Sequence, residues 1–393
     1  MEKDVLKKMK TEFLNKFKGD EKDIRLFFTP GRVNIIGEHI DYNGGYVFPC
    51  ALDFGTYAAV RVRRDRHVRL DTLNFDFELT VDLDDLQYKK EDKWTNYPKG
   101  VIKYYEELGH KGVGFDVLFY GTIPNGSGLS SSASLEVLTA TIVNALANGQ
   151  VDMIDLVKIS QKAENDFVGV NCGIMDQFAV GMGKKDHAIL LNCNNLDYKY
   201  APFKLEGIKI VIANTKKHRG LADSKYNERR KECDYALAQL QTKLDIHYLC
   251  DLDLKTFEAN VSCIDDLVAR KRARHAVAEN ERVKACMKAL EDDDLKQVGM
   301  LLNESHQSLR DLYEVTGIEL DTMVEEAWKI EGTIGARMTG AGFGGCIVAL
   351  VKEEAVDKFI EEVGRNYEAK IGLKAEFYVA NVGQGSHEVK GVE

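Results

Sequence analysis

Between Phe115 and Ala147 the chain passes from a β-rich run straight through a glycine- and serine-rich loop into an apolar helix pattern. Phe115 to Thr122 reads as a strand, and Leu135, Leu138, Ile142 and Leu146 recur at helical spacing over Ser131 to Ala147, with Gly149 just past the end. Between them stands Pro124-Asn-Gly-Ser-Gly-Leu-Ser-Ser-Ser-Ala133. Strand, flexible loop and helix N-terminus form a phosphate-binding arrangement. Gly126 and Gly128 let the backbone approach an anion closely, while free amides and the positive helix end attract its charge. The serines Ser130, Ser131 and Ser132 add hydroxyls, one of which could reach a cation. The loop has no lysine, so it is no Walker sequence, and countercharge for a bound phosphate must come from elsewhere. A serine-rich helix cap after a tight turn is the competing reading.

A chain of 393 residues exceeds what one compact core absorbs, so two domains are expected. All five prolines, Pro30 to Pro202, lie in the first 202 residues, which puts the boundary near residue 200 and the domains at 1–200 and 201–393. The first half reads as strand-rich, with Tyr57 to Arg63 and Val68 to Val81 ahead of the loop and a second helix over Met153 to Phe167. The second half opens with a strand over Ile208 to Ala213. Long helices follow over Lys225 to Gln241, Arg272 to Leu290 and Leu295 to Tyr313. It closes as strand, helix and strand over Cys346 to Val351, Glu353 to Lys370 and Lys374 to Val382. The class is α+β, sheet layered with helix in both halves.

No stretch approaches the ~18 apolar residues of a membrane span, and Met1 to Asp23 is a charged amphipathic run without a secretory signal. A soluble cytoplasmic protein without a membrane partner is expected. Asp plus Glu number 63 against 53 Lys plus Arg, a net charge of −10, which is the opposite of a nucleic-acid binder's footprint. The basic run Arg270 to Arg274 reads as a solvated helix face. Eight cysteines without a Cys-x-x-Cys pair read as reduced thiols.

Three further segments carry chemistry. Gly31-Arg-Val-Asn-Ile-Ile-Gly-Glu-His-Ile-Asp-Tyr-Asn-Gly-Gly45 crowds Arg32, Glu38, His39 and Asp41 among glycines and asparagines, as a loop-borne site or a salt-bridged turn would. His39 has no partner histidines, which argues against zinc. Between Glu164 and Asp176, one carboxylate ends a helix and another follows Cys172-Gly173, where a new helix starts. Glu164 has the chemistry to hold Mg²⁺ beside substrate phosphates, and two surface acids are the alternative. Gly340-Ala-Gly-Phe-Gly-Gly345 matches G-x-G-x-x-G, but it enters the β-branched run Ile347 to Val351 instead of opening a helix. It is therefore not a dinucleotide fingerprint. A tight hairpin and a backbone platform close to a ligand remain open for it.

Taken together, these motifs resemble the galactokinase family of the GHMP small-molecule kinases, over Phe28 to Val382. Gly31 to Tyr42 is similar to that family's signature, Gly-Ser-Gly-Leu-Ser-Ser-Ser-Ala to its phosphate loop, and Gly-Ala-Gly-Phe-Gly-Gly to its third motif. The resemblance implies a two-domain fold with the active site in the interdomain cleft; a monomer is expected, although the sequence does not fix the oligomeric state. It also implies transfer of the γ-phosphoryl of MgATP to the anomeric hydroxyl of D-galactose. Asp176, in Cys172-Gly-Ile-Met-Asp-Gln-Phe178, matches the catalytic base, and Arg32 matches the arginine that stabilises that carboxylate and the transferring phosphoryl. Ser132 and Glu164 match the Mg²⁺ ligands. Gly126, Ser127, Gly128, Leu129, Ser130, Ser131 and Ser132 match the ATP loop, and Glu38, His39, Asp41, Gly173 and Tyr226 match the sugar pocket.

One position departs from the family pattern. Ile40 stands where threonine is commonest, and isoleucine there resembles the N-acetylgalactosamine kinases, although Asn43-Gly44-Gly45 keeps the galactokinase form. Non-catalytic galactose sensors related to the family shorten the serine region of the phosphate loop, whereas Ser130 to Ser134 is complete here.

Overall fold

The computed structural model describes residues 2–123, 128–217 and 222–390. In the first half, α1 (Glu2–Phe17) precedes β1 (Arg25–Asn34), β2 (Tyr46–Val47), β3 (Pro49–Val62), β4 (His67–Thr72) and β5 (Leu79–Asp82). Then come α2 (Asn96–Glu107), β6 (Phe115–Gly121), α3 (Ser131–Leu146), α4 (Met153–Lys162), α5 (Met175–Met182), β7 (His187–Asn192) and β8 (Tyr198–Pro202). The second half holds β9 (Ile208–Asn214), α6 (Ala222–Leu240), α7 (Leu254–Asn260), α8 (Leu267–Glu291), α9 (Leu295–Ser308) and α10 (Gly317–Trp328). It ends with β10 (Thr333–Thr339), β11 (Cys346–Lys352), α11 (Val356–Ile371), β12 (Glu376–Ala380) and β13 (His387–Val389).

Among the described residues three sheets form, in the orders β13-β1-β3-β6-β4-β5, β10-β11-β9-β12 and β2-β7-β8. The first explains why its strands read as nearly continuous apolar runs. Successive residues point to opposite faces, and both faces are covered. Phe27, Ala58, Val117 and Phe119 face Leu138, Ile142 and Val143 of α3, while Phe28, Tyr57, Ala59 and Leu118 face Leu6, Met9 and Phe13 of α1. The charged N-terminal run is thus a helix with one apolar stripe docked on the sheet.

The expected boundary at 200/201 falls between β8 and β9, where one sheet gives way to the next, yet the core does not divide there. Val33, Ile35, Phe48 and Leu52 share one buried cluster with Ile210, Ile212, Val283, Met338 and Val348. The chain also returns at its C-terminal end, where β13 pairs with β1, Leu26 opposite Val389, and Arg25 grips Glu388 through two bonds of 2.7 and 2.8 Å.

Several expectations need correction. Val68 to Val81 is not one strand but the antiparallel pair β4 and β5, joined across residues 73–78. The helices expected to reach Phe167 and Tyr313 end as α-helix at Lys162 and Ser308 and continue as wide π-turns, Ala163–Val168 and Leu309–Tyr313. Arg32 belongs to β1, not to a loop. The basic run is not wholly solvated, because α8 turns Arg272 inward. Its guanidinium there meets Glu232 at 2.8 Å, Glu314 at 2.8 Å and the Leu312 carbonyl at 2.6 Å.

Arg272→Ala strips those partners of a buried donor and should cost about 2–4 kcal/mol. Arg274→Ala, which loses only an exposed pair with Glu258, should cost less than ~1 kcal/mol. Urea unfolding midpoints of the two variants check this, and equal costs would contradict it.

Candidate active site

The site begins with an irregularity in β1. Register with β3 slips between Pro30 and Arg32, and the loop before α3 lies across the slip. A side chain at Gly31 would come within 3.0 Å of the Leu129 carbonyl, which accepts a bond from the Arg32 amide at 3.3 Å. From there the Arg32 side chain reaches α5. Its Nε and Nη2 donate to the two oxygens of Asp176 at 2.8 Å each, and its Nη1 donates to the Gly128 carbonyl at 2.8 Å. This fork fixes both angle and distance.

Gly126 and Ser127 lie outside the described residues. Gly128 takes a left-handed φ of 74°, and Leu129 turns its side chain into the core. Ser130 also sits in the left-handed region, φ 65°, ψ 49°, uncommon for serine. Its hydroxyl does not cap α3. It donates to Asp176 Oδ2 at 2.5 Å instead. The first amides of α3 therefore have no side-chain cap, which favours an anion-binding helix end over the helix-cap alternative.

Glu164 comes from the π-turn Ala163–Val168, a wide turn of a kind that recurs at functional sites. Its Oε2 accepts from Gln177 Nε2 at 2.7 Å and from the Cys172 thiol at 3.3 Å, and the Ser132 hydroxyl bonds the same carboxylate. Burial pushes the Glu164 carboxyl up. Glu136, fully buried on α3, is pushed well above the usual range, by burial first and then by the charge of Glu164. Burial also raises the Cys172 thiol, keeping it a donor. Among the described residues no group of three or more His, Cys, Asp or Glu could form a metal cage. A Ser132 hydroxyl beside a carboxylate, in a spot with excess acid and a partnerless buried Glu136 Oε1, nevertheless suits Mg²⁺, which takes few protein oxygens beside phosphates and water.

On the far side of Asp176 lies a cavity of about 200 Å³, lined by Arg32, Glu38, His39, Asp41, Gly173 and Tyr226 together with Cys172, Met175, Gly340 and Ala341. It thus brings together the expected sugar residues from both halves of the chain. A Cβ at Gly173 would stand 2.9 Å from Asp41 Oδ2, so a larger residue there would push the Asp41 carboxylate out of its place. Glu38 Oε1 accepts from the Gly340 amide at 2.8 Å and the Thr339 hydroxyl at 3.0 Å and pairs with the fully buried Arg337 at 3.2 Å. The loop Gly340 to Gly345 is thus both a hairpin between β10 and β11 and a backbone wall of the cavity.

His39 Nε2 faces the Ala341 carbonyl at 3.2 Å, so it carries the proton and Nδ1 accepts from Tyr42 at 2.9 Å. Both ring nitrogens are spent on the protein, and burial lowers the imidazole to about 4, which keeps it neutral. Tyr226 stacks at a tilt on His39, ring centroids 5.5 Å apart. Ile40, the departure from pattern, does not line this cavity. It is wholly buried against Gly45, and its carbonyl accepts from Asn43 and Gly45.

A second cavity, about 240 Å³, lies at the other side of the loop. Phe75, Trp94, Tyr97 and Phe119 line it with Asn74, Ser131 and Ser132. Sequence reasoning missed it, since these aromatics come from separate loops, a helix and a strand. A tryptophan on an otherwise polar stretch was the one available signal.

The galactokinase galactose-binding signature matches residues 11–62, the GHMP kinase N-terminal domain 96–184 and the GHMP kinase C-terminal domain 286–369. A galactokinase of Clostridium beijerinckii is 57% identical over 385 residues, covering 97% of this chain and 98% of that protein. The chain belongs to the galactokinase family. A galactokinase of Bacillus subtilis is 53% identical over 376 residues, covering 95% and 96%. The structure of Lactococcus lactis galactokinase complexed with galactose matches with a TM-score of 0.92 at 48% identity, covering 98% of this chain and all of that one. Methanococcus jannaschii mevalonate kinase shares the fold, with a TM-score of 0.67 at 19% identity over 91% of this chain and 98% of that one. Like its galactokinase relatives, the chain is an ATP-dependent sugar kinase of two-domain α+β fold.

Burial raises the Asp41 carboxyl to about 6, against the pull of the Tyr42 amide. Its ionised form, the better acceptor for sugar hydroxyls, is lost as pH falls through that value. In this galactokinase-family chain, kcat/KM for the sugar should therefore drop on the acid side of about 6. Asp41→Asn should lose that limb, and a limb kept in the variant would assign it to another group.

Proposed function

We propose that this chain transfers the γ-phosphoryl of ATP, with Mg²⁺, to the anomeric hydroxyl of D-galactose, giving α-D-galactose 1-phosphate. The carrying observation is the Arg32 fork on Asp176, set between the sugar-sized cavity and the open N-terminus of α3. In this reading Glu38, Asp41 and Tyr226 hydrogen-bond the hexose, while His39 and Gly173 shape its wall. The amides from Gly126 to Ser132 and the end of α3 hold the phosphates, with the base in the aromatic cavity. Ser132 and Glu164 would hold Mg²⁺, which supplies charge neutralisation for phosphate oxygens.

The chain's own residues do the positioning that phosphoryl transfer depends on. Asp176 already accepts from Arg32 and Ser130. To take the proton of the anomeric hydroxyl it gives up the single bond from the Ser130 hydroxyl, which can rotate away, and keeps the two-point fork from the Arg32 guanidinium. Arg32 is the countercharge that the lysine-free loop lacks. One chain completes the cavity, which supports a monomer. Among the described residues no helix is long and apolar enough to cross a membrane. The acidic chain, with its eight cysteines in no disulfide, suits the cytoplasm better than a nucleic-acid or membrane surface. The buried side chain of Ile40 removes the one feature that pointed to N-acetylgalactosamine.

A sugar panel with MgATP, scored by ADP release and product anomer, tests this: galactose should exceed glucose and N-acetylgalactosamine in kcat/KM. Against glucose, whose one inverted hydroxyl leaves polar groups unpaired, the mismatch can reach about 10⁴-fold, while discrimination against the N-acetyl group is steric. Asp176→Ala should lower kcat roughly 10²- to 10⁴-fold with galactose and ATP still bound, and Arg32→Lys should be nearly as damaging because an ammonium cannot make the fork. Activity within threefold in both variants would remove the assignment.

Trp94→Ala should raise the KM for ATP about tenfold or more, the worth of one lost stacking face, and leave the KM for galactose within twofold. Equal shifts in both would place the base elsewhere.

A further inference from the structure

Behind the Ser132 and Glu164 pair, α3, the π-turn and α5 bring three side chains to one buried point. Gln177 follows Asp176 directly on α5 and is wholly buried. Its Nε2 donates to Glu164 Oε2 at 2.7 Å and to Glu136 Oε2 at 3.0 Å, so both amide hydrogens are spent on carboxylates. Glu136 stands on α3 four residues after Ser132, one turn on and on the same face. One carboxamide therefore joins the helix of the candidate base to the candidate cation carboxylate, and also to the helix of the candidate cation hydroxyl. The residue type is constrained. Two donors on one nitrogen are needed without a charge, asparagine is a methylene too short, and without the amide the fully buried Glu136 Oε2 would lose its donor at high cost.

We propose that Gln177 is a positioning residue for the cation: its bridge between Glu136 and Glu164 sets where Mg²⁺ sits relative to Asp176. This rests on Glu164 as a cation ligand. Glu136 serves the bridge as an acceptor, and its place on α3 carries Ser132 with it. Cys172 is a lesser support, touching Glu164 from the cavity wall at 3.3 Å.

The test uses the intact chain and binding, not turnover. Calorimetry gives the dissociation constant of a non-hydrolysable ATP analogue with Mn²⁺ and without metal, and that of galactose. In Gln177→Met the Mn²⁺-dependent gain in nucleotide affinity should fall about tenfold or more, the usual loss when a ligand's supporting partner is removed. Metal-free nucleotide binding and galactose binding should stay within twofold. Glu136→Gln, whose amide oxygen can still accept from Gln177, should lose less than Glu136→Leu. Should Gln177→Met fail to fold, Gln177→Asn carries the same expectation. An unchanged metal gain, or an equal loss for all three ligands, would overturn the bridge. Glu164→Gln separates the levels. If it leaves the metal gain intact, the cation assignment itself fails, whereas a loss there beside an unaffected Gln177→Met sinks only the bridge.

Discussion

The guanidinium of Arg32 is where the architecture of this chain meets its chemistry. It leaves the sheet at the bulge in β1, crosses under the loop before α3 and closes on Asp176 at the head of α5. Each partner comes from a different element, so the fork defines the distance between the strand, the loop and the helix at once. A bidentate pair holds that geometry far better than a point charge. The nearly buried setting makes the pair costly to break, and the Gly128 carbonyl uses a further donor.

A second tie runs between the two halves. Arg337, fully buried on β10, bonds the Asn34 and Ile35 carbonyls and pairs with Glu38, while Glu38 and His39 bond the backbone of the loop that follows β10. The glycines of that loop let it turn tightly against Val315 while its backbone walls the cavity at Gly340 and Ala341. A Cβ at Gly342, which has a φ of 78°, would come within 2.2 Å of the Val315 carbonyl. The cavity beside Asp176 is therefore a seam between the halves, held by polar contacts on a shared apolar core.

Acid accumulates along this seam. Glu38, Asp41, Asp176, Glu164 and Glu136 lie along one path, answered by Arg32 and Arg337. The excess falls at the Glu136 and Glu164 end, where burial raises both carboxyls and where a divalent cation would lower the cost. At the Asp41 end the same burial raises the carboxyl, and a poorly solvated carboxylate of this kind gains most from a hydroxyl donor.

Much of this was legible in the sequence. The strand, loop and helix around Gly128 to Ser132, the crowded run from Arg32 to Asp41 and the pair Glu164 and Asp176 are local signals, because backbone permissiveness and helix-end electrostatics act over a few residues. The sequence likewise determined the α+β class, through apolar periodicity. What it left open depended on distant partners. Whether Ser130 caps its helix or turns to Asp176 is decided by a residue 46 positions away. Whether Arg272 faces water or the Glu232 and Glu314 pair is decided by how α6 and α8 pack. The aromatic cavity at Trp94, the donor count of His39 and the inward turn of Ile40 exist only once separate segments meet. Periodicity says that a side chain lies on a face, and tertiary packing alone says what that face touches.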